Sequence, residues 1–223
     1  QRGKELYTPD GKLGYTEQDA LDWFNYWDRM RKTGACAPAD VQNAHASNSP
    51  SDSGLIVGTV AMIFSTSNLI QSYQGSTSHK LDLYFCPSSK MNGDPGYYLK
   101  PSMLMSASAT TRYANEVTSF INFIFNDDEA IKALAIERGI PGSLRAQNML
   151  EPSMKPTDKN QLMLIRHVTA TARPKAVFDP PAAAMVSQLL SIITQGIAFG
   201  KLSTSDGAKM FVDQAAQALE RNK

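Results

Sequence analysis

Four consecutive polar residues, Ser65, Thr66, Ser67 and Asn68, directly follow the apolar residues 59–64. The apolar run predicts a buried strand, and the polar residues after it predict a turn into a helix. Hydroxyls, an amide and free backbone N–H groups at such a turn can receive sugar hydroxyls or an anion. Capping of the helix explains the same residues, although one capping residue is enough and here there are four. Both interpretations stand for this turn.

Two arginines and an aromatic–acidic pair are further candidates for contacts with a polar ligand. Arg145 follows a chain break at residues 139–143, and Arg173 lies in a proline-bracketed loop. A guanidinium group can donate paired hydrogen bonds to hydroxyl or acidic oxygens, but an arginine at a protein surface needs no ligand to explain it. Phe178 and Asp179 precede the last long apolar pattern, and a ring with a carboxylate suits the face and the hydroxyls of a sugar.

The composition and the motifs exclude several classes of protein. The 223 residues carry 22 basic and 21 acidic side chains, a net charge of +1, so no excess positive charge would hold a nucleic acid. The most apolar long stretch, residues 185–199, is interrupted by serine, threonine and glutamine and is too short to span a bilayer. Motifs of serine hydrolases, dinucleotide-binding enzymes, phosphate-loop enzymes and zinc proteases do not occur. We expect no catalytic residue, no metal and no cofactor.

Two further features of the sequence concern its compartment and its ends. Cys36 and Cys86 show no zinc-ligand spacing with the three histidines, and they are either two buried free thiols or a disulfide of an exported protein. The chain starts at Gln1 rather than at a methionine. We expect that the natural beginning of the protein has been removed.

Local patterns alternate between helix and strand, which favours an α/β layered fold. An approximate capping box from Thr16 to Asp19 opens a helix that Gly34 ends. Apolar runs predict strands at residues 59–64, 81–86 and 97–106. Helical periodicity predicts the other helices, at residues 112–125, 126–139, 160–168, 182–199 and from a second approximate capping box at 203–206 to the C-terminus.

Several short motifs occur in a particular order along the chain. The first is Gly58-Thr59-Val60-Ala61-Met62 ahead of a short helix, and the second is a strand that ends at Pro87. The others, in order, are a helix with Ala114, Phe120, Phe123 and Glu129, a break at Gly139-Ile140-Pro141, and a closing helix pair joined at Gly200-Lys201. In this order the motifs resemble the C-terminal part of the extracellular solute-binding proteins of ABC importers, in the sugar-binding group that includes maltose-binding protein.

The resemblance implies an α/β fold of the periplasmic binding protein-like type II class. Members of that family are nearly twice as long as this chain. The resemblance therefore implies that residues 1–102 and 144–223 belong to the C-terminal lobe, that residues 103–143 return to the N-terminal lobe, and that the remainder of that lobe is absent.

The resemblance also implies a function and further site residues. Such a protein binds a carbohydrate or polyol in a cleft between its lobes and delivers it to the permease subunits of an ABC transporter, in the periplasm or outside the cell, by hinge closure and without a chemical reaction. Its ligands are commonly touched from the hinge-like strand, here by Tyr98 and Lys100, and from the loop of Phe178 and Asp179. Asn68 lies near the position of an aromatic residue in maltose-binding protein, so we expect hydrogen bonds rather than stacking there.

Two other classes of function stay open. The polar turn after a strand would also suit an α/β enzyme that acts on a small phosphorylated or polyol substrate. A helical interaction module would expose apolar stripes on the C-terminal helices. Binding of candidate sugars separates the first interpretation from these two.

Overall fold

The computed structural model describes residues 4–45, 49–86, 96–99, 103–171 and 179–221. Its α-helices are α1 (Glu17–Lys32), α2 (Ala39–Ala44), α3 (Ile70–Gly75), α4 (Ala114–Asn126), α5 (Asp128–Leu134), α6 (Leu144–Leu150), α7 (Pro156–Thr171), α8 (Ala183–Ala198) and α9 (Thr204–Arg221). Short 3₁₀ turns occupy Pro50–Asp52, Ser67–Leu69 and Glu151–Ser153. The chain divides into two compact units. Unit 1 comprises Gln1–Ile63 and Lys175–Lys223, and unit 2 comprises Phe64–Pro174.

Helix α1 begins and ends where the sequence predicts. The Thr16 hydroxyl accepts the Asp19 N–H at 3.3 Å, and Asp19 Oδ2 accepts the Thr16 N–H at 2.8 Å, which confirms the capping box. Gly34 follows the helix with a φ of 71°, a left-handed conformation that a glycine adopts without steric cost. The Ala35 N–H donates to the Met30 carbonyl at 2.9 Å and closes the helix end.

Helices α1, α8 and α9 surround the core of unit 1. Phe24 of α1 meets Phe211 of α9 edge to face, with ring centroids 6.2 Å apart, and Tyr15 stacks on Phe211 at 5.9 Å. The buried residues of this core are Tyr7, Ala20, Phe24, Ala182, Val186, Ile193, Ile197, Ala208, Phe211, Ala215 and Leu219.

A glycine sets the distance between α8 and α9. A Cβ atom added to Gly207 would lie 2.6 Å from Ile197 Cδ1 and 3.2 Å from Ile193 Cγ2. The start of α9 has the N-cap hydrogen bond of the second predicted capping box, because Ser203 Oγ accepts the Asp206 N–H at 3.0 Å; the Ser203 hydroxyl also donates to Asp206 Oδ2 at 2.6 Å.

Unit 2 has a smaller apolar core, formed by Ile131 of α5 with Ala146 and Leu150 of α6. Asp127 caps α5, since its Oδ1 atom accepts the N–H groups of Glu129 and Ala130 at 2.9 and 3.2 Å. Helix α4, which precedes this cap, has no buried residue. Its apolar side chains face solvent to a degree that is unusual for a helix of a folded domain.

The predicted α/β fold of the type II class is wrong for the part of the chain that the structure describes. None of the described residues lies in a β-strand, and the β-type pairing found among them is a single antiparallel bridge between Tyr7 and Leu13. A strand needs a neighbouring strand that takes up its N–H and C=O groups, and no described residue of the predicted strands at 59–64, 81–86 and 97–106 pairs with another strand. Met62 and Tyr84 are 86% and 85% exposed, so these apolar runs do not enter a core as a buried strand would.

Two other expectations concern the state of the cysteines and the division of the chain into lobes. Cys36 and Cys86 are free thiols, but Cys36 is half-buried and Cys86 exposed, so the expectation of burial is wrong. The division into lobes at residues 1–102, 103–143 and 144–223 stays a prediction.

Among the described helices, none combines the length and the apolar character needed to cross a membrane.

Candidate functional site

The predicted polar turn lies at the start of a short helix in unit 2. Thr66 has extended backbone angles, Ser67 begins the 3₁₀ turn, and α3 continues from Ile70. Ser65 and Thr66 are exposed, whereas Ser67 and Asn68 are half-buried. The sequence prediction of a turn into a helix is confirmed at this position.

The side chains of this turn do not cap the helix that follows. Neither Thr66 nor Leu69, the residues at the N-cap positions of the 3₁₀ turn and of α3, makes a side-chain capping hydrogen bond. The side chains of Ser65–Asn68 make no hydrogen bond with any described residue, whereas Asp127 and Ser143 do cap the helices that follow them. The hydroxyls and the amide are therefore available to a ligand, and the capping interpretation loses its support.

Tyr98 lies close in sequence to an aromatic cluster in unit 2. The Phe85 ring lies 5.5 Å from the Tyr97 ring and 4.5 Å from the His167 ring of α7. Tyr98 itself is 46% exposed, so part of its ring faces solvent. Lys100, the other candidate on this segment, lies outside the described residues.

Arg145 connects three helices of unit 2. From the first turn of α6 its guanidinium donates to the Asn126 carbonyl, at the end of α4, at 2.9 Å, and to the Asp128 carboxylate at the start of α5. These contacts give the arginine a structural role. A guanidinium has five N–H donors, so Arg145 retains donors for a ligand and stays a predicted binding residue.

The remaining candidates lie in or beside the loop before α8. Arg173 and Phe178 lie outside the described residues. Asp179 is exposed and belongs to unit 1, as does Tyr7, whose pKa is raised first by burial and then by the negative charge of Asp179. Of the described candidates, Ser65–Asn68, Tyr98 and Arg145 belong to unit 2 and Asp179 alone belongs to unit 1.

Unit 1 contains a groove that the sequence analysis did not identify as a site. Its volume is about 310 Å³, and α1, α2 and α8 form its walls. The residues along it are Trp23, Ala39, Gln42, Asn43, Ser187, Leu190, Ser191, Thr194, Gln195, Ala198 and Phe199. The signal in the sequence was the run of serine, threonine and glutamine that interrupts residues 185–199.

No protein-family model matches the chain. Its structure is similar to that of an extracellular solute-binding protein of family 1 from Alicyclobacillus acidocaldarius, with 28% identity and a TM-score of 0.83 over 99% of this chain and 56% of that one. It is also similar to a periplasmic oligogalacturonide-binding protein from Yersinia enterocolitica in complex with saturated digalacturonic acid, with 23% identity and a TM-score of 0.80 over 96% of this chain and 54% of that one.

A third similar structure is a de novo designed cysteine esterase, with 21% identity and a TM-score of 0.78 over 95% of this chain and 53% of that one. The chain thus spans about half the length of the solved structures that it matches. The similarity in fold extends over nearly the whole chain, although its described residues form no strand. The chain is therefore similar in fold to extracellular solute-binding proteins.

Proposed function

We propose that the chain is the C-terminal portion of a longer extracellular solute-binding protein of the sugar-binding group that includes maltose-binding protein. In this proposal the whole protein binds a carbohydrate or polyol between two lobes and delivers it to the permease of an ABC transporter. Its location is the periplasm or the cell exterior. The function is binding and transport rather than catalysis.

The similarity to the Alicyclobacillus solute-binding protein over 99% of the chain is the observation that carries this proposal. The chain accounts for little more than half of that structure, which supports a longer whole protein. The Yersinia protein has an oligogalacturonide as its ligand, which supports a carbohydrate as the ligand class. The designed esterase, at 21% identity, supports the fold alone and gives no reason to prefer an enzyme.

The polar turn at Ser65–Asn68 supplies the proposed contacts to the ligand. Its hydroxyls and amide make no hydrogen bond with a described residue, so they can pair with sugar hydroxyls without first breaking a contact. Tyr98, Lys100, Arg145, Arg173, Phe178 and Asp179 complete the proposed set of binding residues. Closure would follow from ligand contacts with both lobes, because the closed form then gains binding energy that the open form lacks.

Ligand-observed NMR on the 223-residue chain tests the proposed contacts. The chain is titrated with a panel of neutral and acidic oligosaccharides that includes digalacturonic acid, and dissociation constants are compared between the wild type and a triple Ser65→Ala, Ser67→Ala, Asn68→Ala variant. We expect weak, millimolar binding, because one lobe supplies only part of a cleft, and a loss of about tenfold or more in the variant.

A double Ser72→Ala, Ser76→Ala variant is the matched control. It removes two exposed hydroxyls from the other end of α3, where Ser76 Oγ donates to the Ser72 carbonyl. This control should leave the dissociation constant unchanged. Equal binding by the wild type and the triple variant would contradict the assignment of the turn to the ligand.

A further inference from the structure

The outer face of helix α7 in unit 2 carries two side chains that can ligate a metal. Met163 and His167 are four residues apart, so they lie on the same face of the helix, one above the other. Both are exposed, whereas Leu162 and Val168 of the same helix are buried. This face therefore presents a thioether sulfur and an imidazole ring to solvent.

A segment of unit 2 without regular secondary structure lies beside this helix. The Phe85 ring lies 4.5 Å from the His167 ring, and Asn160 Nδ2, nearer the start of α7, donates to Asp82 Oδ1 at 2.7 Å. These two contacts show that residues 82 to 85 follow the helix in its own direction. The next residue is Cys86, an exposed free thiol. A thiol therefore joins the imidazole and the thioether in this part of unit 2.

The three donors are not used by other contacts in the described part of the chain. The ring nitrogens of His167 make no hydrogen bond with a described residue, because the hydrogen bond at this position goes from the Thr171 hydroxyl to the His167 backbone carbonyl. Cys86 forms no disulfide, and Met163 is 66% exposed. A metal ion can therefore take up these donors without breaking a described contact.

The types of donor select the metal. Thiolate and thioether sulfurs are soft ligands that favour Cu(I), and imidazole also suits copper. A structural zinc site needs four nitrogen, sulfur or carboxylate ligands, and no three His, Cys, Asp or Glu side chains of the described residues are grouped to hold a metal. We propose that Cys86, His167 and Met163 bind a single Cu(I) ion. The Cys86 thiol releases its proton to solvent as its sulfur bonds to the metal, and the copper stays in the same oxidation state.

The inference goes beyond the proposed function. None of the three donors belongs to the proposed set of sugar contacts, and binding of Cu(I) requires no sugar. Failure of the sugar titration at Ser65–Asn68 would therefore leave the copper site standing. Failure of the copper titration would leave the proposed function standing.

Competition with the Cu(I) chelator bicinchoninate tests the site. The full 223-residue chain carries a Cys36→Ser substitution, so that Cys86 is its sole thiol, and is titrated without oxygen with Cu(I) kept reduced by ascorbate. We expect the chain to withdraw a single Cu(I) ion from the chelator, with near-ultraviolet absorption from the thiolate–copper bond and release of about one proton. An excess of Zn²⁺ of about tenfold should not displace the copper.

Three substitutions in this Cys36→Ser chain remove the donors one at a time. Cys86→Ser should abolish binding, whereas Met163→Leu and His167→Phe should each weaken it by about tenfold. Leucine keeps the size of the methionine, and phenylalanine keeps an aromatic ring against Phe85. Because the three positions are exposed, the melting temperatures should stay close to that of the parent chain.

Met185→Leu in the Cys36→Ser chain is the matched control. It removes a 50% exposed thioether from α8 in unit 1 and should leave the affinity for Cu(I) unchanged. Retention of the copper by the Cys86→Ser chain would overturn the inference. Equal affinity of the parent, the Met163→Leu and the His167→Phe chains would overturn it as well, because the thiol would then bind copper alone.

Discussion

At the residue scale, the stability of a variant at the polar turn of unit 2 distinguishes a binding role of its side chains from a capping role. The side chains of Ser65, Ser67 and Asn68 make no hydrogen bond with a described residue, so their replacement removes no hydrogen bond to the described part of the chain. We expect the triple alanine variant to unfold within about 0.5 kcal/mol of the wild type, as surface substitutions usually do. Urea denaturation of both proteins measures this difference.

Asp127→Ala is the positive control for that measurement. Its carboxylate accepts two backbone N–H groups at the start of α5, so its removal should cost about 1 kcal/mol. A loss of that size in the triple variant as well would show that the turn residues stabilise the helix, and the capping interpretation would return.

Ala135 offers a second prediction at this scale. It follows α5 with a φ of 46°, a conformation that favours glycine, and it is the non-glycine residue with positive φ in the described chain. We expect Ala135→Gly to raise the free energy of unfolding by up to about 1 kcal/mol. Ala133→Gly, at an exposed position inside α5, should lower it by about 1 kcal/mol. Destabilisation of similar size by both substitutions would contradict the strained backbone at residue 135.

At the scale of the element, the start of α1 couples stability to pH. Hydrogen bonds to Asp19 from Lys4, at 2.5 Å, and from the Thr16 hydroxyl and N–H hold the pKa of this carboxyl well below its usual value. A carboxyl whose pKa is lowered by folding stabilises the fold at pH values above its pKa in the unfolded chain, which is about 3.9 for aspartate. This stabilisation is lost as the pH falls toward the pKa of the same carboxyl in the folded chain.

We therefore expect Asp19→Asn to cost about 1 kcal/mol at pH 7. The difference from the wild type should shrink as the pH falls below about 4, because the Asp19 carboxylate of the unfolded chain then takes up a proton while that of the folded chain, with its lowered pKa, stays ionised. Glu17→Gln, in the same helical turn, is the control and should change little. Urea denaturation from pH 7 to pH 2 provides the comparison, and a difference that stays constant over this range would refute the coupling.

The contact between α8 and α9 gives a second prediction for an element. Gly207→Ala would place a methyl group 2.6 Å from Ile197 Cδ1, and overpacking of this kind costs about 1–3 kcal/mol. The gain in helix propensity returns at most about 1 kcal/mol, so we expect net destabilisation. Gly75→Ala, where an added Cβ meets nothing within 4 Å, should be neutral or slightly stabilising. Thermal unfolding of both variants tests this, and a stabilised Gly207→Ala chain would be inconsistent with the packing described.

The sequence predicts some of these elements far better than others. The capping box at Thr16, the N-cap serine at Ser203 and the glycine after α1 are local signals, and the structure confirms them because they need only neighbouring residues. The predicted strands were wrong because a strand depends on a distant partner that no local pattern supplies. The groove of unit 1 was not identified because α8, which forms one of its walls, is far in the sequence from α1 and α2, which form the others.

At the scale of the whole molecule, helix α4 has the exposed apolar face of an interface. Phe120 and Phe123 are 55% and 47% exposed, and Tyr113 just before the helix is 67% exposed. Under the proposed function, further residues of a longer protein would cover this face. Alone, the chain should self-associate, since exposed apolar patches drive association.

We expect concentration-dependent association in sedimentation velocity, and a largely monomeric Phe120→Ser, Phe123→Ser variant. Met163→Ser, which removes a 66% exposed side chain from α7, is the control and should associate like the wild type. A wild-type chain that stays monomeric up to about 100 μM would argue against an uncovered interface on α4. The double variant also provides a monomeric sample for spectroscopy.

Amide chemical shifts of the 223-residue chain, recorded during titration with neutral oligosaccharides and digalacturonic acid, test the central claim most directly. The proposed function predicts that at least one sugar shifts the backbone amides of Ser65–Asn68 in a saturable manner, because the polar turn of unit 2 contacts it. If no sugar moves the amides of residues 65–68, the proposal of a carbohydrate-binding function at this turn is contradicted.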